Sequence, residues 1–384
     1  MDLDRIPLPT VVADEKSLTD LLRCVDQCDR IAVDTEANPM HSYKEEVCLI
    51  QVTAAKKDFL VDPLSGLDLE PLFEEFEDPK LIKVFHDAGY DLIMLRRDFD
   101  VRVRGLADTR VLALTLGEEA TGLAALVGSR LGVQLNKAQT LSNWGNRPLT
   151  ESQMRYAQMD THFLLDLLDC LEAELAQRDE LARLEVESEL QRIQNEEGDP
   201  TLKSPETDWA KIKGAGRLDG RARRRLRELF LWREGVAEKR NVPSFKVIGN
   251  KDLLFLAKTA PQNEEALTAK GGLPKKLASR FGKVLLEILQ KASKMEPIPK
   301  TKRVKGSDSY RRAAEVLKSW RKQKAGMRGT DPSHILNRKV LEGLARLEPY
   351  PTTLDELSKT GFLEDWKVKA YGEEILKVFR RALG

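Results

Sequence analysis

Arg30-Ile31-Ala32-Val33-Asp34-Thr35-Glu36 is the stretch from which the rest of this 384-residue chain is read. A short apolar run with two β-branched residues ends in an acid, a threonine and an acid, the pattern of a buried strand that stops at a polar edge. Alternate residues of a strand share a face, so Asp34 and Glu36 point one way and Thr35 the other. One segment therefore delivers two carboxylates to one place. Such a triplet alone is more often a solvated strand end or a helix cap, so its meaning depends on what other segments bring to it.

Working outward, Val47-Cys48-Leu49-Ile50-Gln51-Val52, Phe59-Leu60-Val61 and Leu81-Ile82-Lys83-Val84-Phe85 are short, partly β-branched and bounded by polar or turn residues, and read as further strands. Apolar residues at helical spacing, Leu18-Leu21-Leu22-Val25, Leu69-Leu72-Phe73-Phe76, Leu92-Leu95 and Leu123-Leu126, predict helices between and after them. A longer helix is predicted from about 150 to 171. Early strands followed by helices give an α/β domain with a mixed sheet. A charged helical segment over roughly 178–198 stops at Glu197-Gly198-Asp199-Pro200, which places the end of the first domain at residue 200.

The remainder is helical and duplicated. Trp232-Arg233 recurs as Trp320-Arg321, Ala237 as Ala325, Val247 as Ile335, Leu256-Ala257 as Leu344-Ala345 and Pro261 as Pro349, all at one offset of 88 residues. Phe281-Gly282 then matches Tyr371-Gly372 after a slip of two. Two copies of one small helical domain are expected, over 205–295 and 308–384. Residues 296–307, rich in proline and charge, read as a linker. Trp232 and Trp320 could stack bases, but their equivalent places inside apolar helical patterns favour packing.

The near-neutral total hides a polarity. Residues 1–200 carry 21 Lys and Arg against 40 Asp and Glu, a net −19, whereas residues 201–384 carry 42 against 22, a net +20. An acidic half suited to cations precedes a basic half suited to polyanions. Six arginines stand against one acid between Arg217 and Arg227, and Lys318 through Arg328 adds a second basic patch. Arg221, Arg223, Arg224 and Arg225 are the candidate backbone-phosphate contacts there. Lys137 and Arg147 are candidates in the first half.

Four scattered cysteines without paired metal spacing point to a reduced, cytoplasmic setting. The acidic start lacks the pattern of a signal peptide, and no run approaches the 18 or so apolar residues of a membrane span. No G-x-x-x-x-G-K-[ST] loop occurs, and the glycines from Gly214 to Gly220 do not follow a strand, so no nucleotide cofactor is expected. Nothing in the sequence names a protein partner.

Two more fragments carry acids. Asp91 follows Val84-Phe85-His86 and opens a helical pattern, where capping is its ordinary role. Tyr156 and Asp160 are i and i+4 on one helix, stacked on the same face. His86 and His162 lie nearby and are read as packed or hydrogen-bonded. Each fragment has a structural explanation, yet together they supply four carboxylates and one phenol. Oxygen-only donors of this kind suit hard divalent cations.

In these fragments the chain resembles the ribonuclease D family of DEDD 3'-to-5' exonucleases, in its tyrosine-bearing subgroup. Asp34-Thr35-Glu36, His86-Asp87-Ala88-Gly89-Tyr90-Asp91 and Tyr156 through Asp160 look like its three motifs, and Trp144-Gly145-Asn146-Arg147-Pro148-Leu149-Thr150 like the approach to the third. The repeated module resembles the HRDC domain. Ala37 and Asn143 depart from the pattern, at positions that are not ligands. The resemblance implies a ribonuclease H-like α/β exonuclease domain followed by two small all-α HRDC-like domains. It implies two Mg²⁺ or Mn²⁺ ions held by Asp34, Glu36, Asp91 and Asp160, with Asp34 bridging and Tyr156 orienting the attacking water. The expected partner is RNA with a free 3' end, such as precursor tRNA, shortened with release of nucleoside 5'-monophosphates. A DNA or sugar-nonselective exonuclease, and a silent nucleic-acid-binding scaffold, are the alternatives. The basic half is expected to be separable, aiding substrate capture and not the chemistry.

Overall fold

The computed structural model describes residues 3–136, 139–195, 204–269, 271–300 and 307–383. The chain divides into two compact units. One contains residues 1–36, 47–197 and 304–384, and the other contains residues 37–46 and 198–303.

The first unit is built on a six-stranded sheet in the order β1-β4-β3-β2-β5-β6, formed by β1 (Thr10–Val12), β2 (Arg30–Ala37), β3 (Val47–Ala54), β4 (Lys57–Val61), β5 (Ile82–Phe85) and β6 (Leu106–Asp108). β3 and β4 form an antiparallel hairpin turned by Ala55 and Lys56 at positive φ. β2, β5 and β6 run parallel, as do β1 and β4, so the sheet is mixed. All eight residues of β3 are buried, as expected for a central strand covered on both faces. The expected strands are present. β1 and β6 were not anticipated, because three residues are too few to show a period of two.

Helices α1 (Glu15–Val25), α2 (Glu70–Glu77), α3 (Gly89–Phe99), α4 (Thr109–Leu116), α5 (Leu123–Leu131), α6 (Glu151–His162), α7 (Leu164–Leu175) and α8 (Glu180–Asn195) complete the exonuclease-like part. The long helix expected over 150–171 is two, α6 and α7, separated at Phe163. Thr150 caps α6 reciprocally with Gln153, which fixes where that helix starts.

The second helical copy belongs to this unit. It comprises, after the four-residue α9 (Pro205–Asp208) and the first copy given below, α15 (Asp308–Arg328), α16 (Pro332–Ile335), α17 (Arg338–Ala345), α18 (Leu354–Lys359) and α19 (Asp365–Leu383). It packs on α4 and α8. Arg328 lies 2.9 Å from buried Glu185 and also donates to the Tyr371 hydroxyl. Thr330 donates to the Leu114 carbonyl at 3.0 Å, and His334 meets Thr115 at 3.2 Å. Gly117, at φ +88, lies so close to Gly329 that a Cβ would overlap its carbonyl.

The second unit holds the first copy: α10 (Gly220–Lys239), α11 (Ser244–Val247), α12 (Asn250–Thr259), α13 (Glu264–Leu267) and α14 (Lys275–Ser293). The starts of α10, α11 and α12 precede those of α15, α16 and α17 by 88 residues, and α14 precedes α19 by 90, so the two-residue slip falls in the loop after α12. The tryptophans pack as expected, Trp232 edge-on to Phe281 at 5.2 Å and Trp320 edge-on to Tyr371 at 5.9 Å.

Two of the expected boundaries are corrected. The ten residues 37–46 belong with the first copy, because Tyr43 is buried in its core; the Tyr43 N–H donates to the Asn241 side chain at 3.1 Å. Part of the proposed linker packs on that copy as well: the Ile298 N–H donates to the Gly220 carbonyl at 3.0 Å and its side chain joins the core. Residues 301–306 lie outside the described residues.

Truncating Tyr43 to Ala removes a buried ring, and a loss of about 3–5 kcal/mol is expected in denaturant unfolding of the first helical copy. Gly117→Ala combines a backbone angle that L residues resist with overlap at Gly329. It is expected to cost about 2 kcal/mol or more in the unfolding of the other unit, read as a lowered melting temperature.

Candidate active site

Parallel pairing of β2 with β5, in the register Ala32 to Val84, brings the carboxyl end of β2 and the chain leaving β5 to the same edge of the sheet. Asp34 and Glu36 sit in the last turns of that strand end, partly buried. Beyond β5 the chain turns at Asp87, which has φ +70, and enters α3. Asp91 lies in the first turn of α3 and is buried. It does not cap the helix. Its Oδ1 accepts the Thr35 hydroxyl at 2.5 Å, so Thr35 ties the second acidic segment to the first.

The turn before Asp91 is held by a residue that sequence reading missed. Asp108, fully buried at the end of β6, accepts the N–H groups of Asp87 at 3.1 Å and Ala88 at 2.7 Å while capping α4 through Arg110 and Val111. The signal was an Asp-Thr pair ahead of an apolar helical run, an ordinary N-cap pattern. Thr109, its neighbour, bonds His86 Nδ1 at 2.8 Å. Burial lowers the His86 pKa to about 4, which keeps it neutral and packed, as expected.

The third segment rests on β3 and β4. Ala157 is buried against Cys48, Leu49 and Leu60. On the same side of α6, Gln158 and His162 both reach Asp58 Oδ2 of β4 at 2.7 Å, and Thr53 donates to Asp58 Oδ1 at 2.7 Å. Asp58 thus fixes the rotation of α6. That rotation leaves Tyr156 and Asp160 together on a neighbouring face. The Tyr156 ring lies 5.9 Å from buried Trp144, and its hydroxyl is 3.2 Å from Thr140 Oγ1.

Burial raises all four acids, and Asp91 and Asp160 add to the rise at Asp34 and Glu36. Burial, then repulsion from Asp91, Asp160 and Glu36, raises the Asp34 pKa well above its usual value. Burial, then Asp160 and Asp91, raises Glu36 to about 9. Asp91 is raised to about 7, chiefly by burial and against the Thr35 hydrogen bond. Asp160 is raised to about 7 by burial and then Asp91. Tyr156 is raised to about 12 by burial and then by Asp160, so the phenol stays neutral near pH 7. Among the described residues, no three His, Cys, Asp or Glu side chains form a close metal cage, and one oxygen of Asp91 is engaged with Thr35. Even so, four desolvated carboxylates that repel one another form a donor set that hard divalent cations fit by charge and by ligand type.

The described candidate phosphate contacts have these surroundings. Arg147 donates from Nε and Nη2 to Asp62 at 2.6 and 2.7 Å, from Nη1 to the Trp144 and Asn146 carbonyls, and from Nη2 to the Cys48 carbonyl. All five of its N–H groups are engaged, so it anchors the loop that carries Trp144. Asn143 braces the same loop by accepting the Gly145 N–H at 3.2 Å. Lys137 lies outside the described residues. In α10, Arg223 is buried over the Trp209 ring at 5.1 Å. Arg224 and Arg225 donate to the carbonyls of Glu296 and Ala257, both at 2.8 Å. Arg221 is exposed and donates to the Ser293 carbonyl at 3.3 Å. The arginine run therefore mostly packs helices together.

Residues 9–176 match the family model described as 3'-5' exonuclease, and residues 222–289 and 311–379 match the HRDC domain model. Ribonuclease D of Pseudomonas paraeruginosa is 30% identical over 386 residues, covering 97% of this chain and 97% of that protein. Ribonuclease D of Haemophilus influenzae is 28% identical and covers 96% and 92%. Among solved structures, Escherichia coli RNase D, described as an exoribonuclease involved in structured RNA processing, superimposes with a TM-score of 0.69 at 25% identity, covering 97% of this chain and 99% of that one. The catalytic core of RRP6 from Trypanosoma brucei gives 0.65 at 29%, covering 76% and 81%.

Because the folded pKa values of Glu36, Asp91 and Asp160 lie above the ordinary carboxylate range, the metal-free protein binds more protons at this site than its unfolded chain does. Their contribution to stability is complete below about pH 4 and is lost as pH rises through about 7 to 9. In EDTA the melting temperature is expected to fall over that window. Millimolar MgCl₂ should restore it increasingly toward the alkaline end, where no proton competes for the carboxylates. A MgCl₂ effect independent of pH would contradict this account.

Proposed function

The chain belongs to the ribonuclease D family and is a 3'-to-5' exoribonuclease, and we propose that it hydrolyses phosphodiesters with two divalent ions, Mg²⁺ or Mn²⁺, at Asp34, Glu36, Asp91 and Asp160. What supports this reading is that all four acids are desolvated, that Asp91 and Asp160 both raise the pKa of Asp34 and Glu36, and that Thr35 of β2 bonds Asp91 of α3. When bound there, two divalent ions would supply the charge to acidify an attacking water and offset the scissile phosphate. The carboxylates hold that charge in place.

Tyr156 is too weak an acid to act as a base near pH 7, and its role is to orient the attacking water. Thr140 and the Trp144 ring hold the phenol in position. The reaction consumes water, breaks the bond between the phosphorus and the 3' oxygen of the penultimate nucleotide, and releases a nucleoside 5'-monophosphate. The substrate class is RNA with a free 3' end, precursor tRNA or another structured RNA, in line with the activity named for the E. coli relative. The setting is cytoplasmic and reduced, in keeping with four free cysteines and no described helix long and apolar enough to cross a membrane.

With a 3'-tailed RNA, shortening to 5'-mononucleotides is expected to need Mg²⁺ and to stop in EDTA. Asp34→Asn or Asp160→Asn should lower kcat at least a thousandfold, roughly 4 kcal/mol of transition-state stabilisation. Either purified variant retaining its activity would refute the assignment.

A further inference from the structure

We infer that the RNA-docking surface of the basic half is the exposed face of α14, and that the second helical copy lacks the cations matching Lys276, Arg280 and Lys283; this rests on the exoribonuclease reading above. At 3.6 residues per turn, Lys276, Arg280, Lys283, Glu287, Lys291 and Lys294 fall on one stripe of α14 and its C-cap, about 27 Å long at 1.5 Å per residue. All six are exposed, five are cations, and Glu287 is the one acid among them. Among the described residues none of the five cations is engaged in an ion pair, and Arg280 lies over the Phe281 ring at 5.1 Å. The opposite side of the helix, through Leu285, Leu289 and Ala292, is buried.

Two contrasts single this stripe out. The arginines of α10, which look the more basic in sequence, mostly donate to carbonyls within their own domain and are largely covered. In the second copy, the residues 90 positions on from Lys276, Arg280 and Lys283 are Trp366, Ala370 and Glu373, whereas those on from Glu287 and Lys291 are Lys377 and Arg381. The next acid, Glu374, is engaged with Lys324 and Trp320. Over the first two turns of the stripe, one duplicate therefore carries unpaired cations where the other carries an aromatic, a methyl group and a carboxylate. A row of mobile, solvated cations on a rigid helix suits a phosphate backbone, which it binds by counterion release without reading sequence.

The test uses the full chain in EDTA with a fluorescein-labelled single-stranded RNA, so that docking is read apart from hydrolysis and can fail without it. For K276Q/R280Q/K283Q the Kd near 0.1 M salt should rise on the order of tenfold to a hundredfold. The slope of log K against log salt should flatten by about 2, from roughly 0.7 per lost phosphate contact. The charge-conserving K276R/K283R should keep both the affinity and the slope. A control triple at exposed lysines of the other unit, K16Q/K57Q/K80Q, should change Kd less than twofold. An unchanged Kd and slope in the stripe variant, or an equal loss in the control, would overturn the inference. Equal melting temperatures for the stripe variant and the parent are expected, since none of the three side chains is buried.

Discussion

Repulsion among Asp34, Glu36, Asp91 and Asp160 is the constraint that the first unit is built to withstand. Two like charges about 4 Å apart at an effective dielectric near 20 repel by about 4 kcal/mol, more than the 1.5–3 kcal/mol or so that a hydrogen bond to a charged group contributes. No single side-chain bond could hold such a group together. The positions are set by the backbone: a parallel strand pair that shares one edge, a turn fixed by the buried Asp108, and a helix whose rotation Asp58 locks. Thr35 adds one short link between the first two segments. With the framework so fixed, protons or divalent cations at this edge relieve the repulsion, which couples ion binding to pH.

The candidate acids could be picked out of the sequence because each part obeys a local periodicity. The alternation of a strand orients Asp34 and Glu36, and the i, i+4 spacing of a helix pairs Tyr156 with Asp160. The braces were not legible. Asp108 ends a three-residue strand, and its partners lie about twenty residues back, at Asp87 and Ala88, so no local pattern announces the contact. The surroundings of Arg147 and the α10 arginines were hidden for a related reason. A count of charges records cations but not the carbonyls and carboxylates that meet them, and those partners lie 32 to 99 residues away for Arg225, Arg147 and Arg224.

Duplication preserved the interior of the helical module and freed its exterior. Both copies keep a tryptophan edge-on to an aromatic ring on the last long helix, and both keep the helix starts in register. The surfaces have diverged. In the second copy Arg328, Thr330 and His334 are directed at α4 and α8, where buried Glu185 has its pKa raised by desolvation, against the pull of Arg328. Removing one partner of a buried ion pair costs about 3–5 kcal/mol, because the other charge is left uncompensated. That copy is therefore part of the scaffold on which the acidic edge is mounted.

The same packing argues against a separable basic half, and so does a second point. Glu36 and Ala37 are joined by one peptide bond yet belong to different compact units, and the chain returns to the first unit at Val47. Between them Tyr43 is buried in the core of the first helical copy. A chain cut near residue 200 would leave Glu185 without Arg328 and Tyr43 without its housing. Both losses fall on segments connected to the acidic edge, one through α8 and the other directly through the strand end that carries Glu36. Ordering ten residues in water without that core carries a backbone entropy cost of roughly 1–2 kcal/mol each, so in the truncated chain residues 37–46 would have no folded state of their own. The boundary between catalytic and accessory parts is therefore set by packing, and it does not follow the order of the domains in the sequence.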